Sequence, residues 1–188
     1  MTSKKPISYI VAISDKIDTL VGFFLINEKP TSSKDPFALR RSAIGLLRTI
    51  IDNKLNLKLR NLISYNIQLF EEHGVKKINE NSENEILNFL KDRMKNILKE
   101  KNIKNDIIEA SISSYFSDNY FDLYKKNKLM NKYINKEVGI NAISSYKRAF
   151  NIVESAKGNL SGRPDAVLFR KEEEKHLFEK LNEIRKSL

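Results

Sequence analysis

SDKIDTLVGFFLINEKPTSSKDPFALRRSAIGLLRTII, residues 14–51, holds two apolar stripes of helical period with a polar joint between them. The first stripe reaches back to Ile7, and Ile7, Ile10, Val11, Ile13, Ile17, Leu20, Val21 and Phe24 recur at the spacing of one helical face, predicting a helix over 7–26. The joint, Lys29 to Asp35, is Pro, Thr and Ser between lysines. Asp35 followed by Pro36 is a helix-start pattern, an acidic cap with proline at the first position, and predicts a second helix over 36–52.

Working outward, the same period continues through nearly the whole chain. A third helix starts near Asn56 and ends near His73 and Gly74, where glycine suits a helix C-terminus. Ser82-Glu83-Asn84-Glu85 has the capping-box spacing and predicts a helix to about Lys101. Further helices are expected over 105–115, 119–133, 137–157 and 171–187, with GNLSGRP, residues 158–164, as a loop. No strand alternation and no internal repeat stand out. The fold class is therefore all-α, and Val75 to Asn81 is the best domain boundary, dividing 1–78 from 79–188.

Composition bounds the function. The 188 residues are 40% apolar, enough for a packed core, and contain no cysteine, which excludes disulfides and thiolate zinc sites. No apolar run is long enough for a membrane span or a signal peptide, so a cytoplasmic protein is the expectation. The formal charge is +10, with 13 basic against 7 acidic side chains in 1–78 and 21 against 17 in the rest. Such a surplus suits a polyanionic partner. Lysine accounts for 25 of the 34 basic residues, beside 22 Ile and 20 Asn, the profile of an AT-rich coding sequence. Lysine content is therefore a poor pointer, and the nine arginines are a better one.

Helical phase sorts those arginines. On helix 36–52 the apolar arc is Leu39, Ala43, Ile44, Leu46, Leu47, Ile50 and Ile51; Arg40 falls inside it, while Arg41 and Arg48 sit together just beyond its edge. In the first helix Asp18 also falls inside the apolar arc. A charge on a core-facing stripe is costly unless paired, so Asp18 and Arg40 are expected to form a structural ion pair, leaving Arg41 to face a ligand. Arg93 lies in the arc of Ile86, Phe89, Leu90, Met94 and Ile97 and reads as another buried pair. Lys147 and Arg148 flank the arc of Val138, Ala142, Ala149, Ile152, Val153 and Ala156, and the plain reading for both is a solvated face.

Catalytic constellations are missing. The six glycines match no phosphate-binding loop, and His73 and His176 have no partner at metal-ligand spacing. No set of nucleophile, base and orienting group emerges, and no catalytic or metal-binding residue is assigned.

The stretch over Ser14 to Ile51 closely resembles the β subunit of bacterial two-subunit glycyl-tRNA synthetases, in which a DTLVG run leads to KPTGSKDPFALRR. The resemblance continues through ILNFLKDRM (86–94), DIIEAS (106–111) and SYKRAFNIV (145–153), which are similar to that family's DALR-type anticodon-binding domain. Leu168 and Phe169 before an acidic helix also fit. The resemblance implies that 1–78 is the end of an HD-like helical domain and 79–188 an incomplete anticodon-binding domain. The chain then corresponds to a segment of the subunit, since the family is several times longer; no His-Asp dipeptide is present. It further implies tRNA and the α subunit as partners, with Lys34, Arg41, Arg48, Lys147 and Arg148 as candidate tRNA contacts. No cofactor is expected in this chain, because ATP and Mg2+ belong with the α subunit that makes glycyl-adenylate. Alternatives are a helical RNA-binding or interaction module, or a relic of an HD-type phosphohydrolase, with no part in aminoacylation.

Overall fold

The computed structural model describes all residues except Met1, Ser3, Ser32, 76–78, 115–117, 157–163 and Leu188. Among the described residues there are eight α-helices and no strand: α1 Pro6–Leu25, α2 Leu39–Asp52, α3 Leu59–Glu72, α4 Ser82–Glu100, α5 Asn105–Ser114, α6 Tyr120–Tyr133, α7 Glu137–Ser155 and α8 Glu172–Ser187, with a 3-10 turn at Ala166–Leu168. Most of the expected loop at 158–164 lies outside the described residues. The chain divides into two compact units, Met1–Ile140 and Asn141–Leu188.

In the first unit, α1 packs on α2, α3 and α4, α2 also touches α4 and α6, and α5 lies on α6. The apolar stripes meet in one core, with Leu20, Val21 and Leu25 of α1 against Leu46, Leu47 and Ile50 of α2, Ile63 of α3, and Ile86, Leu90 and Met94 of α4. Truncating any of the Leu, Ile or Met side chains among these to Ala removes buried volume worth about 2–5 kcal/mol. Tyr120 is fully buried and donates its hydroxyl to the Leu87 carbonyl at 3.2 Å; burial, then the charge of Asp118, holds its phenol above the usual pKa.

Four of these helices stop in the same way. A residue with φ between 55° and 82° follows the cap, namely Asn27, Lys54, Gly74 and Asn102. The next N–H then reaches five residues back, as in Glu28 to Phe23 O at 2.9 Å and Leu55 to Ile50 O at 3.0 Å. This satisfies carbonyls that the helix end leaves open. The N-terminus of α4 departs from the capping-box expectation: Ser82 is buried with its hydroxyl unpartnered, and Glu85 turns away to accept from Lys29 Nζ at 2.8 Å and Asn79 Nδ2 at 2.6 Å. Backbone turns carry the start of α4, with Ser82 N–H donating to Asn79 O and Glu85 N–H to Asn81 O, and the Glu85 side chain is left to tie the α1–α2 joint to α4.

The second unit has no fully buried described residue. Val138, just before it, and Tyr146, Phe150, Ile152 and Val153 within it are all exposed, although the sequence places them on or beside an apolar arc. The stripe is real as a period but is not covered in this structure. Phe169 and Phe178 make an edge contact, ring centroids 5.3 Å apart, within this unit.

Candidate nucleic-acid interface

The KPTSSKDPFALRR joint sets the position of the arginines. Thr31 N–H donates to Lys34 O at 2.9 Å and Lys34 N–H to Thr31 Oγ1 at 3.2 Å, closing a small turn. Phe37 then stacks on Phe23 of α1, centroids 4.0 Å apart, which anchors the chain ahead of α2. Ala38 adopts φ 52°, so α2 begins at Leu39 rather than at Pro36. Asp35 nevertheless caps it. Its Oδ1 accepts from Leu39 N–H at 2.8 Å and its Oδ2 from Arg40 N–H at 3.1 Å, two of the donors a helix start leaves open.

That capping geometry overturns the expected Asp18–Arg40 pair. The Arg40 guanidinium lies 4.0 Å from Asp35 Oδ2 and donates to the Thr31 carbonyl, so both of its contacts are with the joint that leads into α2. Asp18 is exposed instead, on a groove of about 320 Å3 with Asn66, Leu69, Phe70 and His73 of the α3 side. Each charge meets polar groups or solvent, so neither needs the other. Arg93 also departs from its expected ion pair: its guanidinium sits over the Phe89 ring at 4.9 Å, and its Nε is buried without a hydrogen-bond partner.

Arg40, Arg41 and Arg48 do come together. With Asp35, Ala38 and Ile44 they line one cleft of about 560 Å3 on the α2 surface. Arg41 and Arg48, seven residues apart on α2, fall about 20° apart in helical phase and about 10 Å apart along the axis. Arg41 is exposed and has no ion pair among the described residues, whereas Arg48 Nη2 donates to Glu100 Oε2, at the end of α4, at 2.8 Å. Both partners of that bridge are about half exposed, so it is worth only about 0.2–1 kcal/mol and can be exchanged for a phosphate. Three guanidiniums on one wall against one capping carboxylate make an anion-receiving surface that can hold a phosphodiester backbone bidentately.

The other candidates are not drawn into that cleft. Lys34 is exposed on the joint and does not line it. Lys147 and Arg148 belong to the second unit, where every described residue of α7 is exposed, so exposure does not single them out. Among the described residues no group of three His, Asp or Glu is placed to hold a metal ion. No helix of the described residues is long and apolar enough to cross a membrane.

A family model described as glycyl-tRNA synthetase beta subunit matches residues 1–113. Curated relatives agree over most of the chain. It is 35% identical over 175 residues to the glycine–tRNA ligase beta subunit of Rickettsia africae (strain ESF-5), covering 93% of this chain and 24% of that protein. It is 38% identical over 180 residues to the subunit of the same name from Rhodospirillum centenum (strain ATCC 51521 / SW), covering 92% and 24%. For the same-named subunit of Ruegeria sp. (strain TM1040) the figures are 36% over 154 residues, 81% and 21%. The chain thus spans about a quarter of the length of the curated relatives it matches.

Proposed function

This chain belongs to the glycyl-tRNA synthetase β-subunit family, and from that premise we propose that it is a tRNA-holding part of a glycine–tRNA ligase. In this reading the chemistry of glycine activation, with its ATP and Mg2+, resides in an α subunit, and the present chain positions tRNA for it in the cytoplasm. The observation that carries the proposal is the α2 cleft, where Arg41 stands uncovered beside Arg48 and Arg40 on one face. Arg40 is committed to Asp35 and Thr31 of the joint and acts as the back wall. Arg41 and Arg48 supply the phosphate contacts, Lys34 adds charge at the entrance of the joint, and Lys147 and Arg148 supply contacts from the second unit. Contacts of this kind fix the position of an RNA without reading its bases.

The test is tRNA binding by the chain across a salt series, compared with Arg41→Ala/Arg48→Ala. Counterion release predicts that the double variant lowers the slope of log affinity against log salt by roughly one to two units, equally for glycine tRNA and other tRNAs. An unchanged slope in a folded variant would sink the reading. Glycylation assays with an added α subunit then separate a synthetase role from that of a general RNA-binding module, since only the former raises glycyl-tRNA yield.

A further inference from the structure

The first two turns of α1 carry apolar side chains that nothing in the chain covers. From Ile13 onward the stripe is buried, whereas Ile7, Ile10 and Val11 are 79%, 56% and 61% exposed. Ile7, Val11, Ser14 and Asp18 recur at four, three and four residues and so share one seam, with Ile10 beside it. At its far end the seam runs into the groove where Asp18 stands with Leu69, Phe70, His73 and Val75. At its near end Lys4 and Lys5 precede the helix, and Lys4 Nζ donates to the Asp52 carbonyl, which holds that segment beside the end of α2. The order along the seam is cation, aliphatic, small, anion.

The groove suits a lysine. Asp18 is exposed and has no ion pair among the described residues. His73 beside it donates from Nδ1 to the Leu69 carbonyl at 2.7 Å, so Nε2 of the neutral ring is an acceptor. A carboxylate and an imidazole acceptor between apolar walls match an ammonium on an aliphatic stem. The whole seam is its own complement in an antiparallel pair. A twofold axis between Ile10 and Val11 sets those two residues opposite each other and Ile7 opposite Ser14, large against small at both ends, and brings Lys4 and Lys5 over the turn from Asp15 to Asp18. A parallel pair would instead set like charges together at each end.

We propose that the first half of α1 is a homodimer interface, on which α1 of a second copy of this chain lies antiparallel with its Lys4 and Lys5 at the Asp18 groove. Three aliphatic side chains with polar ends fall short of the about 800 Å2 per partner of a standard interface, and the net charge of +10 on each copy opposes contact. The dimer is therefore weak, with a dissociation constant on the order of 100 μM. It is independent of the tRNA-holding reading, because no residue of α1 lines the arginine cleft.

Sedimentation velocity of the full chain, from about tenfold below to about tenfold above that constant, should show the average mass rising toward that of a dimer. Val11→Glu, at an exposed site, sets two carboxylates face to face beside the axis and should weaken association at least about tenfold, with the circular dichroism unchanged. Lys4→Glu/Lys5→Glu should weaken it too, although that variant carries less net charge, and adding Asp15→Lys/Asp18→Lys should restore it. Carbodiimide cross-linking of wild-type chain mixed with isotopically heavy wild-type chain gives a readout independent of any variant. Lys5 and Asp18 of one chain lie about 20 Å apart along the helix, too far for a zero-length link, so linked peptides joining one light and one heavy chain are expected from Lys4 or Lys5 to Asp15 or Asp18. A chain that stays monomeric throughout overturns the proposal and leaves the stripe to another polypeptide, such as a further part of a longer subunit. A dimer untouched by Val11→Glu, or links of some other pairing, overturns it by putting the contact elsewhere, for instance on the uncovered arc of α7.

Discussion

Asp35 holds Arg40 by both its backbone and its side chain: Oδ2 accepts from the Arg40 N–H at 3.1 Å and lies 4.0 Å from the guanidinium. One carboxylate therefore caps α2, through Leu39 as well, and orients the residue next to Arg41. Asp35→Ala should cost about 1–2 kcal/mol, the worth of a helix cap, whereas Asp35→Asn keeps an acceptor and should cost less. Asp18→Ala, at an exposed site, should stay within about 0.5 kcal/mol of wild type. Urea melts of the three variants decide whether Asp35 or Asp18 is the structural partner of Arg40.

The displacement of that pair shows what was legible. Helical period located the eight α-helices of the described residues and the buried face of α2 and α4; the α1 stripe is buried from Ile13 onward, while Ile7, Ile10 and Val11 are exposed. Phase then placed Arg41 and Arg48 on one edge, which the cleft retains. Arg40 was assigned to Asp18 because a wheel assumes regular helix from Pro36 onward. The left-handed Ala38 breaks that assumption and brings Asp35 within reach. The apolar arc of α7 illustrates a second limit, since a period tells which face is apolar and not whether anything covers it.

Left-handed backbone at residues with a side chain leaves stability unused. Ala38 at φ 52° and Lys54 at φ 55° both occupy a region that costs an ordinary L-residue roughly 1 kcal/mol and glycine almost nothing. Lys54→Gly, in the turn that ends α2, should raise stability by about 0.5–1 kcal/mol, somewhat offset by the greater freedom of the unfolded chain. Ala38→Gly should do the same, taking from the arginine cleft only the one methyl that Ala38 contributes to its lining. Thermal melts would show both variants above wild type; a lower midpoint for Lys54→Gly would contradict the strain.

Gly139 is required by the close approach of backbone across the α6–α7 turn. A Cβ there would lie 2.2 Å from the Tyr133 carbonyl oxygen and 2.9 Å from Ile134 Cα, neither of which can rotate away. Ala is normally the better helix residue by about 1 kcal/mol. Here Gly139→Ala should instead destabilise, by roughly 1–3 kcal/mol, as overpacked sites do. Its reporter is loss of amide protection at Lys136, whose N–H donates to Tyr133 O at 3.0 Å.

Glu85 carries a pH dependence. Its hydrogen bonds from Lys29 and then Asn79 hold its carboxyl below the ordinary glutamate range. A depressed carboxylate contributes stability above its unfolded-state pKa and loses it as pH falls through the lower, folded value. Lys29→Met should therefore reduce stability near neutral pH, and the difference from wild type should shrink as the solution is acidified below about 4.3. Carboxyl chemical shifts should show the Glu85 titration moving upward in the variant.

The bridge from Arg48 to Glu100 supplies the most direct check on the arginine cleft. Glu100 is the one carboxylate that holds either Arg41 or Arg48 among the described residues, and its Oε2 occupies a guanidinium donor that a phosphate would otherwise take. Binding RNA at Arg48 must break this exposed bridge, which costs little, and must also bring a polyanion close to the Glu100 charge. Glu100→Gln removes both penalties. Because the bridge is solvent-exposed, the variant should melt within about 0.5 kcal/mol of wild type, yet bind tRNA several-fold more tightly at low salt, with the gain fading as ionic strength rises. Combined with Arg48→Ala, the same substitution should leave only the weaker, longer-range part of that gain. Unchanged tRNA affinity in Glu100→Gln would mean that RNA does not approach α2 on this side, and would leave Arg48 as a surface tie between α2 and α4.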